Sequence, residues 1–285
     1  KKSGVPCIKK IIPIAMVAFY GSVGQMGHPY WRGKPIAVCG SANRGVVSAA
    51  SYEARKFGVT SAMSGMQAKR NCPELIFVRA RFARYKEISK KIRSIFFEYT
   101  DLVEPLSLDE AYLDATQNKK GNPSASLIAR EIRHRIFNEV GLTASAGISI
   151  NKFIAKIASD INKPNGQKTV NPEDVIAFLE KLDVKKFFGV GKVTANKMYQ
   201  LGIFNGKDLK SKSIDYLDEH FGKSGKHYYD VIRGVHNSPV KPNRVRKSLA
   251  AEHTFDKNLS SEIFMLEKLD RISGEVSNRL NKSNV

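Results

Sequence analysis

Two adjacent carboxylates, Asp109 and Glu110, lie between apolar residues in segment 107–114. Carboxylates hold divalent cations, and phosphoryl transfer with two such ions needs anionic oxygens from separate parts of the chain. The upstream segment in which a third carboxylate would complete the set, residues 14–17, contains none. The residues therefore predict one half of a metal-dependent phosphoryl-transfer site, with the other half vacated.

The charge of the chain is strongly positive and unevenly distributed. Lys and Arg number 47 against 27 Asp and Glu, which gives a formal net charge of +20. Residues 1–100 carry 18 basic and four acidic side chains, and no acidic residue precedes Glu53. A surplus of this size favours a polyanionic partner such as nucleic acid; an acidic membrane surface and a merely solvated basic face are the competing interpretations.

Length and composition are those of an ordinary globular protein, because 285 residues with 42% hydrophobic content can bury a core and favour two or more domains. The three cysteines, Cys7, Cys39 and Cys72, form no CxxC pair and predict neither a disulfide framework nor a zinc site. No segment approaches the roughly 18 apolar residues of a membrane span, and Pro13 interrupts the N-terminal apolar run. We expect a cytoplasmic protein.

Hydrophobic periodicity predicts an α+β fold in which strands and helices alternate before the chain becomes mostly helical. The predicted strands are 8–17, 34–40, 45–50, 75–78, 103–106, 111–113 and 143–149. The predicted helices are 52–58, 82–99, 123–140 and 151–159. The hairpin connection between the fifth and sixth of these strands is expected to hold Asp109 and Glu110.

The C-terminal half contains two further patterns. Residues 184–202 predict two helices joined by a turn at Gly189 and Gly191, a helix-hairpin-helix whose open backbone N–H groups can bind a DNA phosphate. Residues 234–243 predict a linker. The strand and single helix expected at 245–249 and 261–280 cannot bury a core alone.

Four segments, in this order, resemble motifs of the Y-family (translesion) DNA polymerases, with the bacterial DNA polymerase IV branch nearest. They are residues 51–59, 107–114, 156–166 and 244–248. The resemblance implies a right-hand polymerase fold of α+β class. Its expected parts are a palm from 1–17 and 80–170, small fingers from 18–79, a helical thumb from 171–237, a linker from 238–244 and a partial little finger from 245–285.

The resemblance also implies the reaction, which is template-directed nucleotidyl transfer from a dNTP to a primer 3′-hydroxyl during DNA damage tolerance. Asp109 and Glu110 would be the catalytic ligands of two Mg²⁺ ions, and Met16 would offer a backbone carbonyl. Ala15 stands where the family carries a metal-binding aspartate. Primer-template DNA and dNTP are the implied partners, with a sliding clamp as a further one through a tail beyond Val285.

The remaining implied site residues contact nucleotide or DNA. Nucleotide binding would involve Phe19, Tyr20, Tyr52, Arg55 and Lys163, with Tyr20 as the steric gate under the sugar. DNA binding would involve Gly189, Gly191, Lys192, Thr194, Arg244, Arg246 and Lys247.

The chain departs from the family pattern at Ala15 and Val17, where both aspartates of the first strand are absent. Loss of the metal-binding carboxylate predicts a rate lower by several orders of magnitude. Two alternatives to an active translesion polymerase stay open. The chain is a catalytically impaired or dead DNA-binding homologue, or it is another palm-fold enzyme such as a nucleotide cyclase, which the helix-hairpin-helix and the basic tail disfavour.

Overall fold

The computed structural model describes residues 8–41, 44–243, 245–255 and 257–283. Within these residues the strands are β1 Ile11–Met16, β2 Ile36–Cys39, β3 Val47–Ala50, β4 Ile76–Val78, β5 Val103–Pro105, β6 Glu110–Asp114, β7 Ala144–Ile148 and β8 Gln167–Thr169. The helices are α1 Phe19–Gly27, α2 Tyr52–Arg55, α3 Gly65–Asn71, α4 Phe82–Phe97, α5 Ala125–Arg135, α6 Lys152–Ile161, α7 Val175–Glu180, α8 Lys192–Gln200, α9 Gly206–Lys210, α10 Ile214–Phe221, α11 Lys223–Val231 and α12 Glu262–Ser283.

The chain divides into two compact units. The first combines Lys1–Val17 with Arg84–Pro242, and the second combines Ala18–Ala83 with Asn243–Val285. In the described part of the chain, no helix has the length and apolar character needed to cross a bilayer.

The first unit contains a five-stranded sheet in the order β5-β6-β1-β7-β8. Strand β1 is buried along its whole length and runs antiparallel to both β6 and β7, while β8 runs parallel to β7. A strand with neighbours on both sides and layers on both faces has to be apolar, which explains the Ile-rich sequence of β1. The centre of the sheet therefore lies in the buried core of this unit.

Helix α6 packs directly against the sheet. A Cβ atom on Gly147 of β7 would lie 1.9 Å from the carbonyl oxygen of Ala155, so only glycine permits this approach. Asn151 caps the helix by accepting a hydrogen bond from the Ile154 N–H at 3.0 Å. Residues 152–159 are all buried, which makes α6 an internal helix.

Helices α7 to α11 share an apolar core with one side of α6. Buried residues of this core include Phe153, Leu179, Met198, Leu209 and Leu217. The helices are short, and side-chain caps stabilise the starts of two of them. Ser213 caps α10, and α9 begins with a capping box in which Asn205 and Asp208 exchange hydrogen bonds with each other's backbone.

The second unit has a three-stranded sheet in the order β3-β2-β4 with a core of small side chains. Ser51 joins this sheet to α2, because its Oγ accepts hydrogen bonds from the N–H groups of Ile36 and Ala54 at 3.1 and 3.2 Å. Helix α12 has no buried residue, and His253 contacts its Glu275 at 2.9 Å.

The predicted α+β class is confirmed, and several element boundaries differ from prediction. The helix predicted over 123–140 is an α-helix from Ala125 to Arg135. The chain then forms a π-helical turn from Ile136 to Val140. Strand β8 was not predicted, because a three-residue parallel strand carries no recognisable periodicity. The helix-hairpin-helix prediction placed both helices within 184–202, and this is wrong for the first one. Only a 3-10 turn, Val184–Lys186, precedes the glycines in that range.

Two further predictions were wrong. Glu110 lies in β6 instead of in the hairpin connection, because it pairs with Ala15 of β1. Residues 245–249 form no described strand, since no neighbouring strand in the described ranges supplies the ladder of hydrogen bonds. The boundaries of palm, fingers, thumb, linker and little finger stay predictions.

Candidate active site

The two predicted carboxylates lie against the C-terminal end of β1. Glu110 is directly opposite Ala15 in the antiparallel pair of β6 and β1. Asp109 precedes it, and its backbone carbonyl accepts a hydrogen bond from the Met16 N–H at 2.9 Å. The fold therefore brings together Ala15, Met16, Asp109 and Glu110 from segments more than 90 residues apart in the chain.

A row of paired residues crosses the sheet at this point. Ala15 is opposite Glu110 on one side and opposite Ser145 on the other. Directly paired residues project from the same face of a sheet, and this is the face covered by α6, because Gly147 follows Ser145 by two residues. Ser145 is fully buried, and its hydroxyl has no hydrogen-bond partner among the described residues.

Lys156 of α6 reaches this row and forms an ion pair with Glu110. Both side chains are largely buried, with 11% of Lys156 and 19% of Glu110 exposed. Burial lowers the pKa of Lys156, and the negative charges of Asp160 and Asp109 oppose that shift. The carboxylate pair is thus accompanied by a buried cation from the protein itself.

Hydrogen bonds hold the loop that carries Asp109. The Ser107 hydroxyl donates to Asp109 Oδ1 at 2.6 Å, and Arg93 Nη2 of α4 donates to the Ser107 carbonyl at 2.9 Å. A carboxylate that accepts such a bond keeps one oxygen oriented and retains lone pairs for another ligand. The position of Asp109 is therefore set by α4 as well as by β1.

The donor set fits one hard divalent cation better than two. Mg²⁺ is commonly bound by one or two carboxylates together with phosphate oxygens, and Asp109 and Glu110 supply such a pair. No group of three or more His, Cys, Asp or Glu side chains that could hold a metal occurs in the described ranges. The unpaired hydroxyl of Ser145 beside Ala15 marks the place where a third carboxylate would find a hydrogen-bond donor.

The predicted triphosphate ligands of the second unit lie together on α2. The guanidinium of Arg55 stacks over the ring of Tyr52, with its Cζ atom 4.6 Å from the ring centroid. Arg55 Nε donates to the Ala50 carbonyl at 3.1 Å, which orients the guanidinium. This arrangement holds an oriented cation over the face of the Tyr52 ring.

The paired aromatic residues at the start of α1 differ in exposure. Phe19 is 2% exposed and belongs to the core, whereas Tyr20 is half-buried. Their ring centroids lie 5.5 Å apart, and Tyr20 also contacts Phe82 at 6.3 Å. Only the Tyr20 ring has surface with which to contact a sugar, so the predicted nucleotide contact of Phe19 cannot involve much of its ring.

Lys163 lies in the first unit, directly after α6. Its ammonium forms an ion pair with Asp160, and a third of its side chain is exposed. Its positive charge also acts on Lys156, which contacts Glu110. Lys163 is therefore in the electrostatic neighbourhood of the carboxylate pair.

Of the predicted DNA contacts that the structure describes, Thr194 is half-buried and the others are exposed. Gly189 has φ +89°, and Gly191 precedes α8 without a side-chain cap, which leaves the first N–H groups near Lys192 and Thr194 open. Arg246 and Lys247 are exposed, and Arg244 lies outside the described residues.

Lys156 is the first residue of the motif at 156–166, and the sequence alone assigns it no role. The sequence carries a signal, because Lys152 and Lys156 are one turn apart and the other residues of 152–158 are all apolar. Buried lysines need acidic partners, so the pattern indicated two such partners without showing which ones.

The impB/mucB/samB family matches residues 14–160, and the IMS family HHH motif matches residues 172–203. Among curated proteins, DNA polymerase IV 2 of Agrobacterium fabrum is 58% identical over 89% of this chain and 71% of its own length. DNA polymerase IV of Leptospira interrogans is 55% identical over 96% and 76%.

Solved structures are similar over most of the chain. A chimeric Y-family DNA polymerase superposes with a TM-score of 0.89 at 32% identity, over 95% of this chain and 80% of that one. An insertion ternary complex of the Dbh DNA polymerase gives a TM-score of 0.76 at 33% identity, over 81% and 69%.

Proposed function

We propose that Asp109 and Glu110 form the nucleotidyl-transfer site of this chain, which belongs to the Y-family of translesion DNA polymerases, and that Ala15 weakens this site. The family consists of DNA-directed DNA polymerases, and the fold is that of a right-hand polymerase. The relatives' names favour this reaction over that of a nucleotide cyclase.

The pairing of Ala15 with Glu110 carries the proposal. Ala15 lies opposite Glu110, and the Met16 N–H donates a hydrogen bond to the backbone carbonyl of Asp109, which supports a shared site for residues 15, 109 and 110. A metal site assembled from two strands of one sheet is held by the ladder between them and needs little rearrangement. The scaffold for metal ligands is thus kept, with one ligand missing.

Asp109 and Glu110 would hold a divalent cation, with the Met16 carbonyl as a further oxygen ligand. Such an ion, when bound, supplies charge neutralisation at the transferred phosphate and favours loss of the proton from the 3′-hydroxyl. The carboxylate missing at Ala15 removes one anionic bridge, so a second ion would rely on substrate phosphates. We infer a polymerase with a low rate.

The nucleotide contacts are those that the resemblance to the family implies, and the chemistry of the residues supports them. Tyr52, Arg55 and Lys163 would neutralise the triphosphate, because Arg55 can bind two phosphate oxygens at once and its orientation is fixed by Ala50. Tyr20 would pack under the sugar and exclude a ribose 2′-hydroxyl. Replacing Tyr20 with Ala in an active background should then admit ribonucleotides, and unchanged sugar discrimination would remove Tyr20 from this role.

Restoring the missing carboxylate tests the proposal. The variant Ala15→Asp should extend a primer faster than the unchanged chain by several orders of magnitude, measured by single-turnover incorporation with Mg²⁺. The double variant Ala15→Asp, Asp109→Asn is the matched control and should lose that gain. Equal rates for Ala15→Asp and the unchanged chain would remove residue 15 from the metal site.

A second function is favoured by the Lys156–Glu110 ion pair, which leaves the site partly neutralised without any metal. In that case the chain is a DNA-binding homologue that does not catalyse nucleotidyl transfer. It would bind primer-template DNA with steep salt dependence and extend no primer with Mg²⁺ or Mn²⁺.

Replacing Arg246 and Lys247 together should lessen the slope of log K against log salt by about two if both contact phosphates. An unchanged slope would place that segment away from DNA. The phosphate contacts at Gly189, Gly191, Lys192 and Thr194, the sliding clamp and a cytoplasmic location also stay predictions.

A further inference from the structure

The ammonium group of Lys156 is a resident cation at the Glu110 carboxylate. It arrives from α6, 46 residues further along the chain, and its side chain is 11% exposed. Asp109 and Asp160 act on it electrostatically as well. A buried lysine next to carboxylates supplies the same kind of charge neutralisation as a bound metal ion, with one positive charge instead of two.

The hydrogen bonding of Lys156 differs from that of a purely structural lysine. One turn earlier, Lys152 contacts both oxygens of Glu104 at 3.0 and 2.7 Å and the Pro239 carbonyl at 3.2 Å. Lys156 has Glu110 as its one hydrogen-bond acceptor in the described part of the chain. An ammonium carries three N–H donors, and only one of those of Lys156 has an acceptor among the described residues. A single carboxylate therefore holds this side chain.

We propose that Lys156 is a positioning residue that holds the Glu110 carboxylate in place of a divalent cation, so that a metal ion has to displace this ammonium to bind. The inference rests on the proposed metal role of Glu110. With Ala15 opposite Glu110, the three charged groups Asp109, Glu110 and Lys156 sum to one negative charge. A dication entering this cluster meets one resident cation and lacks the charge of a third carboxylate.

The test is the affinity of the full chain for Mn²⁺ in the absence of DNA and nucleotide, measured from the electron paramagnetic resonance signal of free Mn²⁺. Lys156→Met should bind at least about tenfold more tightly than the unchanged chain, the lower end of what one charge within ~4–6 Å does to an ionic equilibrium. Lys156→Arg keeps the cation and should show no gain. Equal affinity for Lys156→Met and the unchanged chain, including no measurable binding in either, overturns the proposal.

Two controls tie the gain to this site. Lys152→Met removes the matched buried lysine of the same helix, and its affinity for Mn²⁺ should stay at the level of the unchanged chain. The double variant Lys156→Met, Glu110→Gln should lose the gain, because no freed carboxylate is left. A gain that survives Glu110→Gln places the metal elsewhere and overturns the proposal.

A second measurement does not require Lys156→Met to fold. Without metal, Glu110→Gln leaves the Lys156 ammonium unpaired, so it should lower the thermal unfolding midpoint more than Asp109→Asn does. The reverse order overturns the proposal. Primer extension decides the proposed function separately, because an inactive chain can still show the Mn²⁺ difference and an active one can lack it.

Discussion

The two buried lysines of α6 start from the same local structure and end in different environments. The side chains of both are 11% exposed, and each forms an ion pair with a glutamate of the five-stranded sheet. Around Lys152 the segment 239–241 completes the hydrogen bonding of the ion pair. The Pro239 carbonyl accepts from Lys152, and Glu104 accepts from the Lys241 N–H at 2.8 Å. Around Lys156 there are further carboxylates and the small side chain of Ala15.

Two Lys–Glu ion pairs formed by one helix can therefore have different roles. A closed pair, with every polar group bonded, stabilises the native arrangement of segments distant in sequence. An open pair has a second carboxylate beside it and only a small side chain opposite it. By our proposal, a cationic ligand can replace the lysine in such a pair. The surroundings of the pair decide which of the two applies.

The largest effect should come from Gly147→Ala, which would separate both lysines from the sheet together. The added Cβ would lie 1.9 Å from the Ala155 carbonyl oxygen and force α6 outward. We expect a loss of about 4 kcal/mol or more in unfolding free energy, measured by urea denaturation. Gly274→Ala, where nothing lies within 4 Å, should not destabilise the protein. Similar stabilities of the two variants would contradict the tight packing of α6.

Lys152→Met should separate the two pairs by their contribution to stability. It leaves Glu104 buried without its cation, which should cost about 3 kcal/mol, whereas Lys156→Met should cost less because its ion pair has fewer polar partners. Lys226→Met, which breaks an exposed pair with Asp230, should change stability by no more than about 0.5 kcal/mol. A larger loss for Lys156→Met than for Lys152→Met would reverse the assignment of roles.

Ser145→Ala should act only on the Lys156 side of the comparison. It removes a fully buried hydroxyl with no described partner, so stability should rise by about 1 kcal/mol. In an Ala15→Asp background the new carboxylate can accept from Ser145, and the same substitution should then destabilise the protein. The double-mutant cycle measures this change of sign. Additive effects would mean that residue 15 does not contact Ser145.

The smallest effect should be a pH dependence on the Lys152 side. Burial lowers the pKa of His236 below its ordinary value of 6.5, and the charges of His227 and Lys152 lower it further. The unfolded chain therefore binds the proton more readily, so stability is present above about pH 6.5 and is lost as pH falls below it. Unfolding free energies measured across this range should flatten in His236→Phe and keep their slope in His134→Gln, which changes an exposed histidine.

Much of the fold was predictable because its signals are local. The apolar run of β1, the spacing of apolar residues in α4 and the caps and glycines at helix ends each act within a few residues. Strand β8 and the missing strand at 245–249 were not predictable in this way. Each depends on whether a neighbouring strand is present, which is a property of the whole sheet.

The site was predictable in part. The adjacency of Asp109 and Glu110 in sequence, and the absence of a carboxylate at Ala15, indicated a metal site with a missing ligand. The partner of Glu110 was not visible, because nothing in the order of residues relates it to Lys156.

The order of residues alone determined which ionisable groups the chain carries. It showed two adjacent acids, the absence of a third at Ala15, and a basic N-terminal third. Tertiary structure decided which charges meet. Gly147 lets α6 approach β7, the pairing of β1 and β6 aligns Ala15 with Glu110, and Lys156 is thereby buried against a carboxylate. Electrostatic interactions depend on distance and burial in space, and neither is encoded by separation along the chain.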